Sequence, residues 1–319
     1  MRHAARVVLA SFAMLVTSIP AAGWAASPWP SEQPITWVVG FTPGGSVDVI
    51  TRALAQQVGK ELNQSVVVEN KPGGAGGIAL AAVARARPDG YTLVTAAGPI
   101  LHAPHVPKVG AGLTAVAPIA QGAVVLVGPA SGPKDFAALS AAIKANPGKF
   151  AYASSGIGTG QHIAGEMLNQ AMGADMVHVP YKGGGQAVVD VMGGVVPLAF
   201  LGVSSVYEHV RNGKLTAYAV TTAERAEALP DVPTLREAGL TNFELPQWYV
   251  VAVPEGTPQD VADKLRAATA AAVKAPEIQR LLTSNSLSSV DASVDANALV
   301  KESMGRAEAV AREANIRLD

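Results

Sequence analysis

The chain has 319 residues, with 24 Lys and Arg against 25 Asp and Glu, 49% hydrophobic residues, 32 Gly and no Cys. Its length suits about two ordinary domains, and its apolar content can fill both cores. The balanced charge, without a basic run, argues against a nucleic-acid partner. The lack of Cys excludes disulfides, thiolate nucleophiles and zinc–thiolate sites.

The beginning of the chain has the pattern of a secretory signal. Arg2 and Arg6 precede an apolar stretch from Val7 to Ile19, and small residues favour cleavage after Ala25. The apolar stretch is shorter than the roughly 20 residues of a membrane-spanning helix, so a signal is preferred to an anchor. We therefore expect a signal peptide over residues 1–25 and an exported mature chain, whose net charge changes from −1 to −3 because two Arg are lost.

A second uncharged stretch runs from Val109 to Pro133 and is long enough to suggest a membrane span. Gly and Pro interrupt it at several positions, which a spanning helix of this kind would not favour. The stretch is therefore predicted to form buried strands.

Short β-rich runs alternate with Gly/Ser/Thr loops and helical stretches along much of the chain. The first such unit is a strand at 35–39, the loop Phe41 to Ser46 and a helix at about 47–60. Further strands are predicted at 65–68, 91–95, 150–154, 176–179 and 195–200, and further helices before Pro88 and at 161–172 and 186–192. This alternation predicts right-handed βαβ units and mostly parallel sheets.

The C-terminal part is built differently. An apolar strand is predicted from Trp248 to Val253, followed by a helix to about Lys274 that Thr257 would cap. A last helix is predicted over about 295–314. Neither helix follows a Gly-rich loop, so both are assigned packing roles.

The loops after the predicted strands carry the candidate binding groups. Open α/β sheets bind ligands at the carboxyl ends of their parallel strands, and helix starts there offer free N–H groups to an anion, above all a carboxylate. The Gly residues that permit close backbone approach are Gly44, Gly45, Gly158 and Gly160, and the hydroxyl donors are Thr42, Ser154, Ser155 and Thr159. Gly in such loops also serves plain turns. Because these loops come from two separate groups of units, they predict two lobes that face one cleft.

One motif resembles a dinucleotide fingerprint but does not fit it. Gly156 to Gly160 follows a strand, yet Gln161 stands where the third Gly belongs. Asp175 also precedes its strand, whereas the ribose-binding acid should end one. A dinucleotide site is therefore not expected.

The histidines offer weak signals for chemistry. His102 and His105 flank Pro104, which disfavours the helix that would align two metal ligands, so a loop is expected. His162 and Glu166 lie four residues apart on a helix, which suits either an acid–base pair or an ordinary helical pair. The chain has no serine-elbow, His-Glu-x-x-His or phosphate-loop motif. Neither a metal nor a cofactor is expected.

Several ordered motifs together resemble a known family. They are PGGSVD at 43–48, VVVENKPGGAGG at 66–77, PDGYTL at 88–93, YASSGIGTGQHIAGE at 152–166, VPYKGGGQAVVDVMGG at 179–194, AVTTAERAEALPDVPTLREAG at 219–239 and PEGTP at 254–258. With the secretory start, they resemble the Bug/TctC family over nearly the whole mature chain. Members of this family are the extracytoplasmic solute-binding components of tripartite tricarboxylate transporters.

The resemblance implies an α/β, two-lobed periplasmic binding protein fold, type II-like, that closes as a Venus flytrap. Each lobe would be a mostly parallel sheet flanked by helices, with the ligand cleft between the lobes. Lobe 1 would comprise 26–123 plus 247–319 and lobe 2 would comprise 124–246, with crossings near Val124 and Trp248.

The resemblance also implies which loops bind the ligand, the first through backbone N–H groups and ordered water. From lobe 1 the matching residues are Phe41, Thr42, Pro43, Gly44, Gly45 and Gly98; from lobe 2 they are Ser154, Ser155, Gly158, Thr159, His162, Tyr181, Lys182 and Gly202. Asp48 is itself anionic, so it is expected to order its loop instead of touching the ligand. Val47 stands where many relatives have Thr.

The function implied is binding without chemistry, and not that of an enzyme: a monomeric periplasmic protein would capture a small carboxylate and deliver it to membrane permease subunits. The ligand class stays open among di- and tricarboxylates, amino acids and aromatic acids, although Phe41 would accept an aromatic ring. Two alternatives remain. The protein would be a ligand-dependent partner of a membrane sensor kinase, or a secreted hydrolase that uses His162.

Overall fold

The structure, a computed structural model, describes residues 29–101 and 106–313. The strands are β1 Ile35–Val39, β2 Val66–Asn70, β3 Thr92–Gly98, β4 Lys108–Val109, β5 Gly112–Gly122, β6 Val124–Pro129, β7 Ala151–Ser154, β8 Val177–Pro180, β9 Leu198–Gly202, β10 Leu215–Val220, β11 Gln247–Pro254 and β12 Leu287–Ser289. The helices are α1 Ser46–Leu62, α2 Gly77–Ala84, α3 Phe136–Ala145, α4 Gly160–Met172, α5 Gly184–Met192, α6 Val203–Arg211, α7 Gln259–Lys274, α8 Pro276–Ser284 and α9 Ala296–Glu313. The predicted signal peptide and the His102–His105 segment lie outside the described residues.

The strands form two sheets, as the fold implied by the motifs requires. The first has the order β12-β5-β11-β3-β1-β2, with β4 paired to β5, and the second has the order β10-β6-β9-β7-β8. Parallel pairs join β1 to β2 and β3 in the first sheet, and β7 to β8 and β9 in the second. The Gly-rich loops therefore leave the carboxyl ends of β1, β7 and β8.

The prediction of mostly parallel sheets needs correction, because both sheets are mixed. β11 is antiparallel to β3 and β5, and β6 is antiparallel to β9 and β10. The reason is that the chain runs from β5 almost directly into β6, with only Ala123 between them. A chain that passes straight from one sheet into the next makes no helical crossover, so β6 runs against the βαβ units of the second sheet. β11, which returns from the second sheet, likewise runs against those of the first.

The two sheets are joined by two neighbouring segments. One is the junction of β5 and β6 at Ala123, and the other leads from the end of β10 at Val220 to the start of β11 at Gln247. The buried Thr221 connects them: its hydroxyl accepts a hydrogen bond from the Val124 N–H at 3.1 Å and donates one to the Leu245 carbonyl at 2.8 Å. The satisfied hydroxyl fixes the two segments against each other.

Apolar side chains cover both faces of each sheet. On the first sheet, α1, α7 and α8 bury one face around Trp37 and Leu265, while α2 and the start of α9 bury the other around Trp248. On the second sheet, the cluster around Phe200 also takes in Ala307 from the later part of α9. The last helix thus packs on both sheets, with its first turns on one and its later turns on the other.

The predicted elements lie close to the observed ones, with one local difference. Thr257 does not cap α7; its hydroxyl donates to the Pro254 carbonyl at 2.8 Å, and the helix begins at Gln259. The uncharged stretch from Val109 to Pro133 contains the buried strands β5 and β6, as predicted. In the described ranges, none of the helices combines the length and apolar character that crossing a membrane requires.

Candidate functional site

Asp48, in the first turn of α1, organises the loop that follows β1. Its carboxylate accepts hydrogen bonds from the Gly44 N–H at 3.0 Å, from the Arg52 guanidinium at 3.0 Å and from the Asn70 amide at 2.9 Å. The same Asn70 amide donates to the Phe41 carbonyl at 3.0 Å. The expected loop-ordering role of Asp48 is confirmed, and the Gly44 N–H is committed to it.

Asp48 is held as a carboxylate although it is 3% exposed. Burial raises its pKa, but the hydrogen bonds from Arg52, Asn70 and Gly44, with the charge of Arg52, outweigh burial and lower the pKa below its ordinary value. The negative charge is therefore compensated within the loop, so it does not repel an anion in the cleft.

Loops from the two sheets meet directly at the carboxyl ends of their strands. The Thr42 N–H donates to the Lys182 carbonyl at 3.2 Å, and the Leu101 N–H donates to the Gly158 carbonyl at 2.7 Å. Ile100 also forms an isolated β-bridge with Thr159. The predicted loops of the two lobes are thus brought together in one place.

Two glycines make this approach possible. Gly183 has φ 156°, and a Cβ there would collide with the hydroxyl of Thr42 and lie 2.6 Å from its backbone nitrogen. Gly158 has φ 80°, and a Cβ there would collide with the Leu101 carbonyl oxygen. Any other residue would both strain the backbone and hold the two loops apart.

Between these contacts lies a small cleft with a mixed polar and apolar lining. The remaining space is about 10 Å³, about the size of one water, and is lined by Phe41, Ala97, Gly98, Pro99, Ile100, Ser155, Thr159, Gly160, Gln161 and Gln247. The side-chain oxygen of Gln247 in this lining, and the hydroxyl of Thr42 next to Phe41 in sequence, are buried and have no hydrogen-bond partner in the described part of the chain. Buried polar groups are normally paired, so these two atoms indicate a place for a polar ligand.

His162 lies beneath the cleft and does not line it. Its Nδ1 accepts a hydrogen bond from the Gly158 N–H at 3.1 Å, so the neutral ring carries its proton on Nε2, 4.0 Å from Glu166. The ring stacks on His178 with centroids 3.9 Å apart. Burial lowers the pKa of His162, with Glu166 opposing, and burial together with His162 lowers that of His178 to about 3. Both rings are therefore neutral supports of the loop.

Ser154 belongs to the same support. Its buried hydroxyl lies 2.7 Å from the His178 Nε2 and 3.1 Å from both the carbonyl and the N–H of Gly156. Tyr152 donates to Glu166 at 2.5 Å and stacks on His178. Ser154 therefore fixes the turn at Gly156 and is not turned toward the cleft.

Three other residues predicted from the second lobe, Tyr181, Lys182 and Gly202, also do not line the cleft. The Tyr181 hydroxyl donates to Asp190 at 2.6 Å, and burial and Asp190 raise its pKa to about 12. Lys182 contributes its carbonyl to the loop contact, while its side chain is exposed. Gly202 lies against Ser46, and a Cβ there would stand 3.3 Å from the Gln247 oxygen.

Gln161 and Gln247 are the side chains that sequence reasoning missed. The Gln161 oxygen accepts from the Ser155 N–H at 2.8 Å, and so holds the loop that faces the cleft. Gln247 opens β11, at the predicted crossing between the lobes. A polar residue directly before an apolar crossing strand was the signal that could have identified it.

The described residues contain no group of three or more His, Asp or Glu side chains placed to hold a metal ion. The residues that line the cleft offer backbone groups, the hydroxyls of Ser155 and Thr159, and the side-chain amides of Gln161 and Gln247. Such groups can bind a polar or anionic solute, and in a low-dielectric cleft their hydrogen bonds are strong.

Comparisons with known proteins agree with this geometry. The family described as tripartite tricarboxylate transporter family receptor, TctC, matches residues 50–316. Protein BugT of Bordetella pertussis is 37% identical over 254 residues, which cover 76% of this chain and 77% of that protein.

Solved structures share the fold over nearly the whole chain. MatC from Rhodopseudomonas palustris, solved with bound malate, has a TM-score of 0.81 at 29% identity and covers 88% of this chain and 99% of its own. Rpa4515 of R. palustris, solved with adipate, has a TM-score of 0.85 at 28% identity and covers 90% and 98%. The chain is thus a member of the Bug/TctC family of periplasmic solute-binding receptors.

Proposed function

We propose that the protein captures a small carboxylate between two lobes in the periplasm and delivers it to the permease of a tripartite tricarboxylate transporter. Lobe 1 comprises residues 26–123 and 247–319, and lobe 2 comprises residues 124–246. A signal peptide over residues 1–25 directs export. Family membership and the bound malate and adipate of two relatives support a carboxylate ligand.

The observation that carries the proposal is the meeting of loops around unsatisfied polar atoms. Within the described residues the Thr42 hydroxyl and the Gln247 oxygen are buried without partners, and the Thr42 backbone N–H already joins a loop of the first sheet to one of the second. A ligand that hydrogen-bonds both lobes satisfies these atoms and stabilises the arrangement in which the loops touch.

Entry of a ligand requires the loops to separate, because the space between them is only about 10 Å³. The two connections at Ala123 and between Val220 and Gln247 are the places where such a hinge motion bends the chain. Once bound, the carboxylate exchanges hydration for fixed amide and hydroxyl donors. Among the candidate residues that line the cleft none is a Lys or Arg, so backbone dipoles and neutral donors provide the compensation.

A thermal-shift screen of organic acids tests the proposal. An acid present at about 100 times its dissociation constant should stabilise the fold by about 2.7 kcal/mol. Matched neutral solutes, such as the corresponding amides, serve as controls. Stabilisation by neutral solutes and by no acid would contradict the carboxylate assignment.

Delivery to a permease is tested separately from binding. Deleting the gene should abolish uptake of the radiolabelled acid that binds best, and restoring the chain should recover it. Unchanged uptake, with loss of a transcriptional response to the same acid, would favour the alternative role as the partner of a sensor kinase.

A hydrolase that uses His162 is disfavoured by the contacts of its ring. One nitrogen accepts from Gly158 and the other faces Glu166, so neither approaches a nucleophile or the cleft. Turnover of a carboxylate ester that disappears in His162→Ala would nevertheless establish this alternative.

A further inference from the structure

A second, larger cavity adjoins the cleft on the α2 and α9 face of the first sheet. Its volume is about 540 Å³, within the range of small-molecule sites. Its walls include the side chains of Leu80, Val94, Ala96, Trp248, Val300 and Met304. The cleft alone offers about 10 Å³, so this is where most of the open volume near the loops lies.

Three polar side chains in the walls of this cavity, those of Trp248, Asn297 and Thr95, are already paired. The Trp248 ring N–H donates to the Ser303 hydroxyl at 2.7 Å. Asn297 bonds both the N–H and the carbonyl of Ala115, and the Thr95 hydroxyl bonds Trp37 and Thr51. These three side chains therefore need no hydrogen bond from an occupant, which favours an apolar group in the part of the cavity that they line.

The cavity and the cleft share a wall. Phe41, Ala97 and Ile100 line both spaces, so a molecule bound in the cleft lies within one side chain of the cavity. Phe41 leaves the end of β1, directly before the loop that Asp48 orders. A rotation of this ring or a separation of the loops would connect the two spaces.

The charges on the cavity favour an anion. Lys108 and Lys301 belong to its lining, as does the single acid Glu308. Within the described residues, neither Lys forms an ion pair. The rim thus carries a net positive charge beside an apolar interior, a combination that attracts organic anions with an apolar body.

We propose that the cavity holds the apolar body of an organic acid whose carboxylate is bound in the cleft. The inference rests on the proposed function, and it narrows the ligand class to acids with an aryl or extended alkyl group. Trp248, Met304 and Val300 contact that group, and the Phe41 ring turns aside so that one molecule occupies both spaces.

Gly305 offers a test that spares the core. It lies in α9 and lines the cavity, and a Cβ built on it meets no atom within 4 Å. Gly305 is exposed at the edge of the cavity, so Gly305→Phe adds a bulky ring beside the cavity without displacing a packed side chain. Ala309→Phe, on the exposed surface of the same helix and outside the lining, is the matched control.

Calorimetric titration of the three proteins with 4-phenylbutanoate and with succinate separates the possibilities. We expect Gly305→Phe to weaken the binding of 4-phenylbutanoate by about tenfold or more and to change the affinity for succinate by less than about twofold. Ala309→Phe should change neither affinity. Loss of affinity for both acids in Gly305→Phe alone, with an unchanged melting temperature, would place the carboxylate in the cavity and overturn the division of roles.

Two further outcomes distinguish this inference from the proposed function. Binding of succinate without binding of 4-phenylbutanoate overturns the inference and leaves the proposed function intact. Binding of 4-phenylbutanoate that Gly305→Phe leaves unchanged also overturns the inference, because the aryl group then lies elsewhere. Binding of neither acid, nor of any acid in the thermal-shift screen, contradicts the proposed function itself.

Discussion

The Thr42 N–H donates a hydrogen bond to the Lys182 carbonyl at 3.2 Å, and so joins a loop of the first sheet to a loop of the second. The next residue, Gly183, permits this contact because it has no side chain to meet Thr42. The bond exists only while the loops touch, so it belongs to the arrangement that a bound ligand stabilises.

Gly183→Ala should therefore weaken ligand binding more than it weakens the fold. The added methyl collides with Thr42 and holds the loops apart, so we expect about a tenfold or greater loss of affinity for the best acid of the thermal-shift screen. Gly194→Ala is the control, because Gly194 also has positive φ, at 72°, but a Cβ there meets nothing within 4 Å. Equal affinities of the two variants would show that the loops need not touch in the bound state.

Gln247→Met should reduce affinity while leaving the fold nearly intact. The variant keeps the length of the side chain and removes a buried amide whose oxygen has no partner in the described structure. A lost hydrogen bond of this kind costs about 1–1.5 kcal/mol, which is about tenfold in affinity. Titration of the best acid checks this expectation.

Tyr181→Phe is the contrasting variant for Gln247→Met. The Tyr181 hydroxyl is committed to Asp190 at 2.6 Å, so its removal should cost about 1 kcal/mol of stability and leave affinity within about twofold. A larger loss of affinity in Tyr181→Phe than in Gln247→Met would reverse the roles assigned to these residues.

The sequence predicted the elements that carry the loops, because a β-branched run followed by Gly and an amphipathic helix is a local pattern. The helix predicted at about 47–60 is α1, Ser46–Leu62, and that predicted at 161–172 is α4, Gly160–Met172. The mixed direction of the sheets was not predictable in this way, because strand direction depends on where β5 and β11 pair across long separations.

The candidate site was predicted to the level of loops but not of side chains. His162, Ser154 and Tyr181 stand in the right loops, yet their polar atoms bond within the second lobe. Which way a side chain points depends on partners such as His178 and Asp190, which lie 9 to 24 residues away along the chain. Those pairings are properties of tertiary packing, and a motif does not contain them.

Asp48→Asn should destabilise the first loop and alter the acid side of the stability curve. Asp48 accepts bonds from Gly44, Arg52 and Asn70, and removing a buried charged acceptor of this kind costs about 2 kcal/mol near neutral pH. Because the pKa of Asp48 is lower in the fold than in the unfolded chain, its contribution is complete above about pH 4 and is lost as pH falls through the lowered pKa.

Denaturant unfolding of Asp48→Asn between pH 2 and 7 measures this contribution. Asp263→Asn is the control, because Asp263 pairs with Arg266 on the exposed surface of α7, where such a pair contributes at most about 1 kcal/mol. If Asp48→Asn were no more destabilising than Asp263→Asn, the carboxylate would not hold the loop.

The stacked pair His162 and His178 predicts a second pH dependence, at higher pH than that of Asp48. Both pKa values are lowered by burial, that of His178 to about 3, while an unfolded His has a pKa of about 6.5. Between those values the unfolded chain binds a proton at His178 that the folded chain does not. The contribution of His178 is therefore complete above about pH 6.5 and falls by about 1.4 kcal/mol per pH unit as the pH is lowered toward its folded pKa, and His162 changes stability in the same direction.

His178→Phe should reduce the slope of the free energy of unfolding against pH, because one titrating ring is lost. Phe preserves the stack between Tyr152 and His162 but cannot bind a proton, and Ser154 keeps its bonds to Gly156. Denaturant unfolding at pH 7.5, 6, 5 and 4 measures this slope. In His178→Phe it should be shallower than in the native chain by the equivalent of about one bound proton. His209→Phe, in α6 and outside the stack, is the control substitution. A native slope in His178→Phe would mean that the buried ring takes up a proton in the folded state.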